Sequence, residues 1–124
     1  MNVARYKNCT INFKYEKEEE LVYFNIEDKN QICYIDSILV NKSYQNQGFG
    51  TAALLEFLNN QKKLGIRRFY LFAVYHEEDY NDPIEDKSLA IEKLLNYYEN
   101  IGFEVVSEKR NIDPVDMRLQ IKED

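Results

Sequence analysis

With 124 residues, 44% of them hydrophobic, the chain has the size and apolar content of one small domain with a single core, spanning residues 1–124, large enough to fold without metal ions or crosslinks. Its 22 acidic residues outnumber 16 basic ones for a formal net charge of −6, with no Lys/Arg stripe in compensation; this argues against a nucleic-acid partner and is compatible with cationic substrates. No run approaches the roughly 20 apolar residues of a membrane span, and Met1 to Thr10 lacks the apolar centre of a secretory signal, so no membrane contact and a cytoplasmic location are expected.

In chain order, Thr10 to Tyr15 alternates as a strand does, the charged run Glu16 to Glu20 makes a turn, and Leu21 to Ile26 reads as an antiparallel partner. After a polar turn, Ile32 to Val40 forms another strand. Strict alternation puts Tyr34, Asp36, Ile38 and Val40 on one face and Ile35, Ser37 and Leu39 on the other, which sets the Asp36 carboxylate on an otherwise apolar face. Gly50 to Leu64 is helical: Leu54, Phe57, Leu58 and Gln61 follow three-four spacing, Lys62 and Lys63 stand near the negative end, and Gly65 can stop it.

Phe69 to Val74 is apolar at nearly every position and reads as a strand covered on both faces. Strand, helix, strand predicts a parallel, right-handed crossover. His76 to Lys87 is acidic, carries Pro83 and reads as a loop or short irregular helix. Ser88 to Asn100 places Ile91, Leu94, Leu95 and Tyr98 on one helical stripe with Gly102 as its stop, and Phe103 to Val106 and Met117 to Ile121 are closing strands. Cys9 and Cys33 read as reduced, partly buried thiols. His76, the only histidine, lies beside Glu77, Glu78 and Asp79, but a metal site needs three or four converging ligands, so a surface residue and no metal are expected.

The segment Val40 to Thr51, V-N-K-S-Y-Q-N-Q-G-F-G-T, lies between a predicted strand and a predicted helix. Its glycines permit a tight turn and close backbone approach, and the helix start aims N–H groups and a positive dipole end at an anion. A coenzyme diphosphate is the natural occupant. Gly48 to Ala53 also fits the dinucleotide pattern G-x-G-x-x-G/A, but there the first glycine follows its strand almost at once, whereas Asn41 to Gln47 intervene here.

Gln45-Asn46-Gln47-Gly48-Phe49-Gly50 instead resembles the Q/R-x-x-G-x-G/A motif of the GNAT-type N-acetyltransferases, and Tyr98-Glu-Asn-Ile-Gly102-Phe103 is similar to the Y-x-x-x-G-F ending of that family's second conserved helix. As an ordered pair the two motifs are far more specific than either alone. The resemblance, which runs from Ile32 to Ile121, implies an α/β protein of the GNAT-like acyl-CoA N-acyltransferase fold. Its mixed sheet would be largely antiparallel, and its N-terminal part shortened to Met1 to Gln31 before the cradle strand.

The resemblance further implies acetyl-CoA as cosubstrate and acetyl transfer to a primary amine, on a small molecule or a peptide, by direct attack. Gln45 and the backbone N–H groups of Asn46, Gln47, Gly48, Phe49, Gly50 and Thr51 would hold the pyrophosphate, with the backbone of Leu39 and Val40 along the pantetheine arm. Asp36 aligns with an acidic residue that some relatives carry and would take the amine proton, a task that apolar surroundings favour. Tyr98, at the family's tyrosine position, would protonate the leaving thiolate; Lys42, Lys62 and Arg67 are candidates for the 3′-phosphate. The alternative from another class is a catalytically inactive module that keeps the fold and binds CoA or a protein partner. The face left open by the short N-terminal part would then favour a homodimer.

Overall fold

The computed structural model describes residues 1–17, 31–45, 47–73, 87–106 and 115–121. Their elements, in chain order, are β1 (Asn2–Tyr6), β2 (Cys9–Lys17), β3 (Gln31–Val40), a 3-10 turn (Lys42–Tyr44), α1 (Phe49–Lys63), β4 (Arg68–Ala73), α2 (Lys87–Ile101), β5 (Glu104–Val105) and β6 (Val115–Gln120). The strands make one mixed six-stranded sheet in the order β1-β2-β3-β4-β6-β5. No helix among the described residues is long and apolar enough to cross a membrane. The chain divides into two compact units, Met1–Tyr70 with Gln120–Asp124, and Leu71–Leu119.

In the first unit, β1 and β2 are joined by a tight turn at Lys7 and Asn8, where Asn8 takes the left-handed conformation (φ 57°) that asparagine tolerates better than most residues. β2 pairs antiparallel with β1 and also with β3. Sequence periodicity gave β2 a different partner, Leu21 to Ile26, which lies outside the described residues, and it missed β1. The predicted turn at Glu16 to Glu20 also begins too early, because Glu16 and Lys17 still belong to β2.

α1 lies against β2 and β3 through the stripe that its spacing predicts: Ala53, Leu54, Phe57, Leu58 and Gln61 are buried. The Phe57 ring meets the edge of Phe13 on β2 with centroids 4.9 Å apart, and the Tyr15 hydroxyl donates to the buried Gln61 side-chain oxygen. That bond satisfies the oxygen of the one buried polar side chain on the inner face of α1. The helix ends as expected, with Gly65 left-handed at φ 97°, its N–H donating to the Lys62 carbonyl and the Ile66 N–H to that of Gln61.

Two expectations about strand faces need correction. The register passes from Asn12 opposite Ser37 to Phe13 opposite Ile35, which leaves Asp36 as the extra residue of a β-bulge. Because opposed residues share a face, Ile35 lies with Phe13, and Ile38, opposite Ile11, returns to that same face. Cys33, Ile35, Ile38 and Val40 thus share the α1 side, whereas alternation alone had set Ile38 and Val40 with Tyr34. On β4, Phe69, Leu71 and Ala73 are buried while Phe72 is 61% exposed, so the strand is covered on one face only. Its uniform apolar composition concealed that alternation.

In the second unit α2 packs on β5. Ile91 and Leu95 are buried, Leu94 and Tyr98 half-buried. Gly102 at φ 124° stops the helix, and the N–H groups of Gly102 and Phe103 both return to the Tyr98 carbonyl. β5 and β6 pair antiparallel, Val105 opposite Met117, over a core that includes Phe103, Val115 and Met117. Of the predicted acidic segment His76 to Lys87, Lys87 begins α2, and the rest, His76 included, lies outside the described residues.

Candidate functional site

The segment between β3 and α1 folds as its composition requires. Asn41 opens the 3-10 turn, Gln45 follows in an extended conformation, and Gly48 caps α1 at φ 85°, a left-handed geometry costly for any residue with a Cβ. Having no side chain, Gly48 makes no side-chain cap to the helix, whose first intrahelical bond runs from the Ala52 N–H to the Gly48 carbonyl at 3.0 Å. Above Gly48 the space is open: a Cβ there would meet nothing within 4 Å. The helix start therefore offers backbone dipoles to an accessible anion.

At Gly50 the space is tight instead: a Cβ at this position would lie 3.1 Å from Cγ2 of Val40, so the end of β3 and the first turn of α1 approach so closely that an alanine would make the valine side chain give by a few tenths of an ångström. Val40 and the helix start are thereby brought together, with Leu39 beside them on β3 and 56% exposed. Gln45, Phe49, Gly50 and Thr51 are half-buried, and Gln47 is exposed with its side-chain amide donating to the Ser43 carbonyl at 3.4 Å. Asn46 lies outside the described residues.

Two contacts of Phe49 were not legible in the motif. The Tyr44 ring stands edge-on to Phe49 with centroids 5.5 Å apart. Lys7, on the β1–β2 turn, holds its Nζ 6.0 Å from the centre of the Phe49 ring. The turn is anchored there by the Asn41 N–H, which donates to the Asn8 carbonyl at 2.9 Å, and by Cys9 opposite Val40. The sequence shows only a short Lys-Asn turn far from the glycines. Lys62 and Arg67, by contrast, sit at the other end of α1, roughly 20 Å along its axis, where Arg67 donates to the Lys62 and Ile66 carbonyls. Lys42 alone of the three expected cations adjoins the cradle.

Asp36 departs from expectation. As the bulged residue it is exposed rather than set among apolar groups, because the extra residue projects the carboxylate away from the strand's packed face. On the same stretch of sheet the rings of Tyr34 and Tyr70 stack with centroids 5.4 Å apart, and the Lys14 ammonium lies 5.5 Å from the Tyr34 ring and 2.8 Å from Glu16. Glu16, through its hydrogen bond and its charge, holds the Lys14 ammonium above the usual lysine range, with Tyr34 and Asp36 adding smaller contributions. Burial raises the Tyr34 hydroxyl above its ordinary value, and the charge of Glu16 adds to that.

Tyr98 belongs to the second unit. It is half-buried near the end of α2, with Tyr97 and Phe103 edge-on at 5.1 and 6.0 Å. The two cysteines are free and buried, and burial pushes the Cys33 thiol up to about 12.

Residues 10–83, more than half the chain, match the family model described as Acetyltransferase (GNAT) family. No curated protein matches the sequence. Among solved structures, the fold is similar to that of the NatC complex bound to Gag peptide and CoA, with a TM-score of 0.61 at 14% identity over 93% of this chain and 62% of that one. It is also similar to Arabidopsis thaliana Naa50 in complex with the bisubstrate analogue CoA-Ac-MVNAL, with a TM-score of 0.57 at 22% identity over 91% and 65%. A GNAT-family acetyltransferase from Staphylococcus aureus Mu50 gives 0.53 at 14% identity over 93% and 60%. The chain thus spans about three fifths of the length of these proteins.

Proposed function

The chain belongs to the GNAT acetyltransferase family, and from that premise we propose that it is an acetyl-CoA-dependent N-acetyltransferase acting on a primary amine. The observation that carries this reading is the junction of β3 and α1, where left-handed Gly48 leaves open space above the helix start and Gly50 lets Val40 close against it. A diphosphate fits that concavity, since backbone N–H groups and the helix dipole complement its charge and no Cβ intrudes. The coenzyme would be held by Gln45 and the backbone of 46–51, with Leu39 and Val40 along its arm, and would supply an activated acetyl thioester.

The acceptor amine would attack the thioester carbon directly, forming the C–N bond in a tetrahedral adduct that then expels the CoA thiolate as the C–S bond breaks. The amine surrenders its proton to Asp36, directly or through water. Exposure of Asp36 favours exchange with solvent and access by a cationic acceptor. Tyr98 is assigned the proton returned to the thiolate on the strength of the Y-x-x-x-G-F motif. Peptide N-termini belong among the acceptors to be tried, because NatC was crystallised with a peptide and Naa50 with a peptide-bearing analogue.

The test is release of CoA thiol from acetyl-CoA in the presence of a polyamine, short peptides with free N-termini, or an amino sugar. We expect turnover with at least one class, reduced about 10²- to 10⁴-fold in Asp36→Asn if that carboxylate is the base. Acetyl-CoA binding without turnover on any amine would instead assign the chain to the inactive modules.

A further inference from the structure

We propose that Lys7, carried on the β1–β2 turn, is a phosphate-binding residue of the coenzyme site, its ammonium pairing with a phosphate of acetyl-CoA seated over Gly48. The inference rests on the reading of Gln45 to Thr51 as the coenzyme cradle. Backbone amides at a helix start offer partial charges only, and none of the residues from Gln45 to Thr51 is basic. A chain of net charge −6 that receives a polyanion needs a formal cation nearby.

Lys42 adjoins the cradle in sequence, and the fold brings a second cation to it. Asn8, left-handed at φ 57°, shapes the turn, and the Asn41 N–H, donating to the Asn8 carbonyl at 2.9 Å, ties it to the segment that leads into the cradle. Lys7 is exposed, and its Nζ stands 6.0 Å from the ring centre of Phe49, the residue between the two cradle glycines. That distance is the outer limit of a cation–π contact, and the exposed ammonium stays open to an anionic partner. Tyr44, edge-on at 5.5 Å, holds the ring in turn. Three segments, the β1–β2 turn, the 3-10 turn and the helix start, therefore meet where the phosphates would lie.

The test is calorimetric titration of the full chain with CoA and with 3′-dephospho-CoA at low and moderate salt. It compares wild type, Lys7→Met, Lys7→Arg, and Lys63→Met at the far end of α1 as a control of equal charge change. We expect Lys7→Met to weaken CoA binding about tenfold and to flatten its salt dependence, Lys7→Arg to restore both, and Lys63→Met to leave affinity near wild type. Thermal melting should be unchanged in Lys7→Met, since the stem of the side chain is retained. A loss confined to CoA assigns Lys7 to the 3′-phosphate, and an equal loss for both ligands assigns it to the diphosphate; either supports the proposal. Wild-type affinity and salt dependence in Lys7→Met, or an equal loss in Lys63→Met, would overturn it while leaving the cradle reading intact. Failure of the wild type to bind either ligand would overturn both.

Discussion

The close approach of Gly50 to Val40 is a constraint that one residue places on another ten positions earlier, and it can be measured. Alanine is favoured over glycine in a helix by up to about 1 kcal/mol, less in the first turn where Gly50 stands, and at position 50 its Cβ would press on Val40 Cγ2 at 3.1 Å. Gly50→Ala should therefore gain none of that preference alone and recover it with Val40→Ala, a double-mutant coupling on the order of 1 kcal/mol in urea denaturation. Asp36 carries the opposite lesson. Its place on β3 was legible, yet its exposure was not, because a bulge depends on register against β2 and leaves no mark in residue type when its extra residue is an aspartate. Cys33, buried and with its thiol raised to about 12, should resist alkylation in the native protein at pH 8 and react only on unfolding; rapid native modification would contradict its burial.

At the scale of elements, the helices were read most closely, since each announces itself by a three-four apolar stripe and by a glycine that must adopt positive φ at its end. α1 is also the element whose loss is easiest to predict. Phe57 is fully buried against Phe13, so Phe57→Ala should cost about 3–5 kcal/mol in denaturant-induced unfolding. Gly65→Ala should cost about 1–2 kcal/mol through backbone strain alone, because φ is 97° and a Cβ there touches nothing within 4 Å. Strands were less legible. β1 is a five-residue strand at the edge of the described sheet, its side chains exposed or half-exposed, so it lacks the alternation that marks a half-buried strand; the partner read for β2, Leu21 to Ile26, lies outside the described residues. The glycine cradle was visible as a motif, but the proximity of Lys7 and Tyr44 to Phe49 arises from tertiary pairing that spacing along the chain does not encode.

For the molecule as a whole, thiols and tyrosines whose proton affinity is raised by partial or full burial make stability depend on alkali. Burial raises the Cys33 thiol from 9.0 to about 12, and Cys9, Tyr6, Tyr15 and Tyr34 are raised as well. The unfolded chain then releases its protons first. Stability that is full below about pH 9 should fall as pH climbs toward about 12, at up to about 1.4 kcal/mol per pH unit for Cys33 alone. Melting temperatures across that range check the slope, and Cys33→Ser should flatten it.

The account's central claim is that the β3–α1 junction receives the diphosphate of a coenzyme, and calorimetric titration with acetyl-CoA tests it most directly. Wild type is compared with Gly48→Ala, which adds only backbone strain, and Gly48→Glu, which adds the same strain and a negative charge in the open space. The account predicts micromolar binding by wild type, retained in part by Gly48→Ala and abolished by Gly48→Glu. Absence of binding in the wild type, or equal binding by the alanine and glutamate variants, would contradict it.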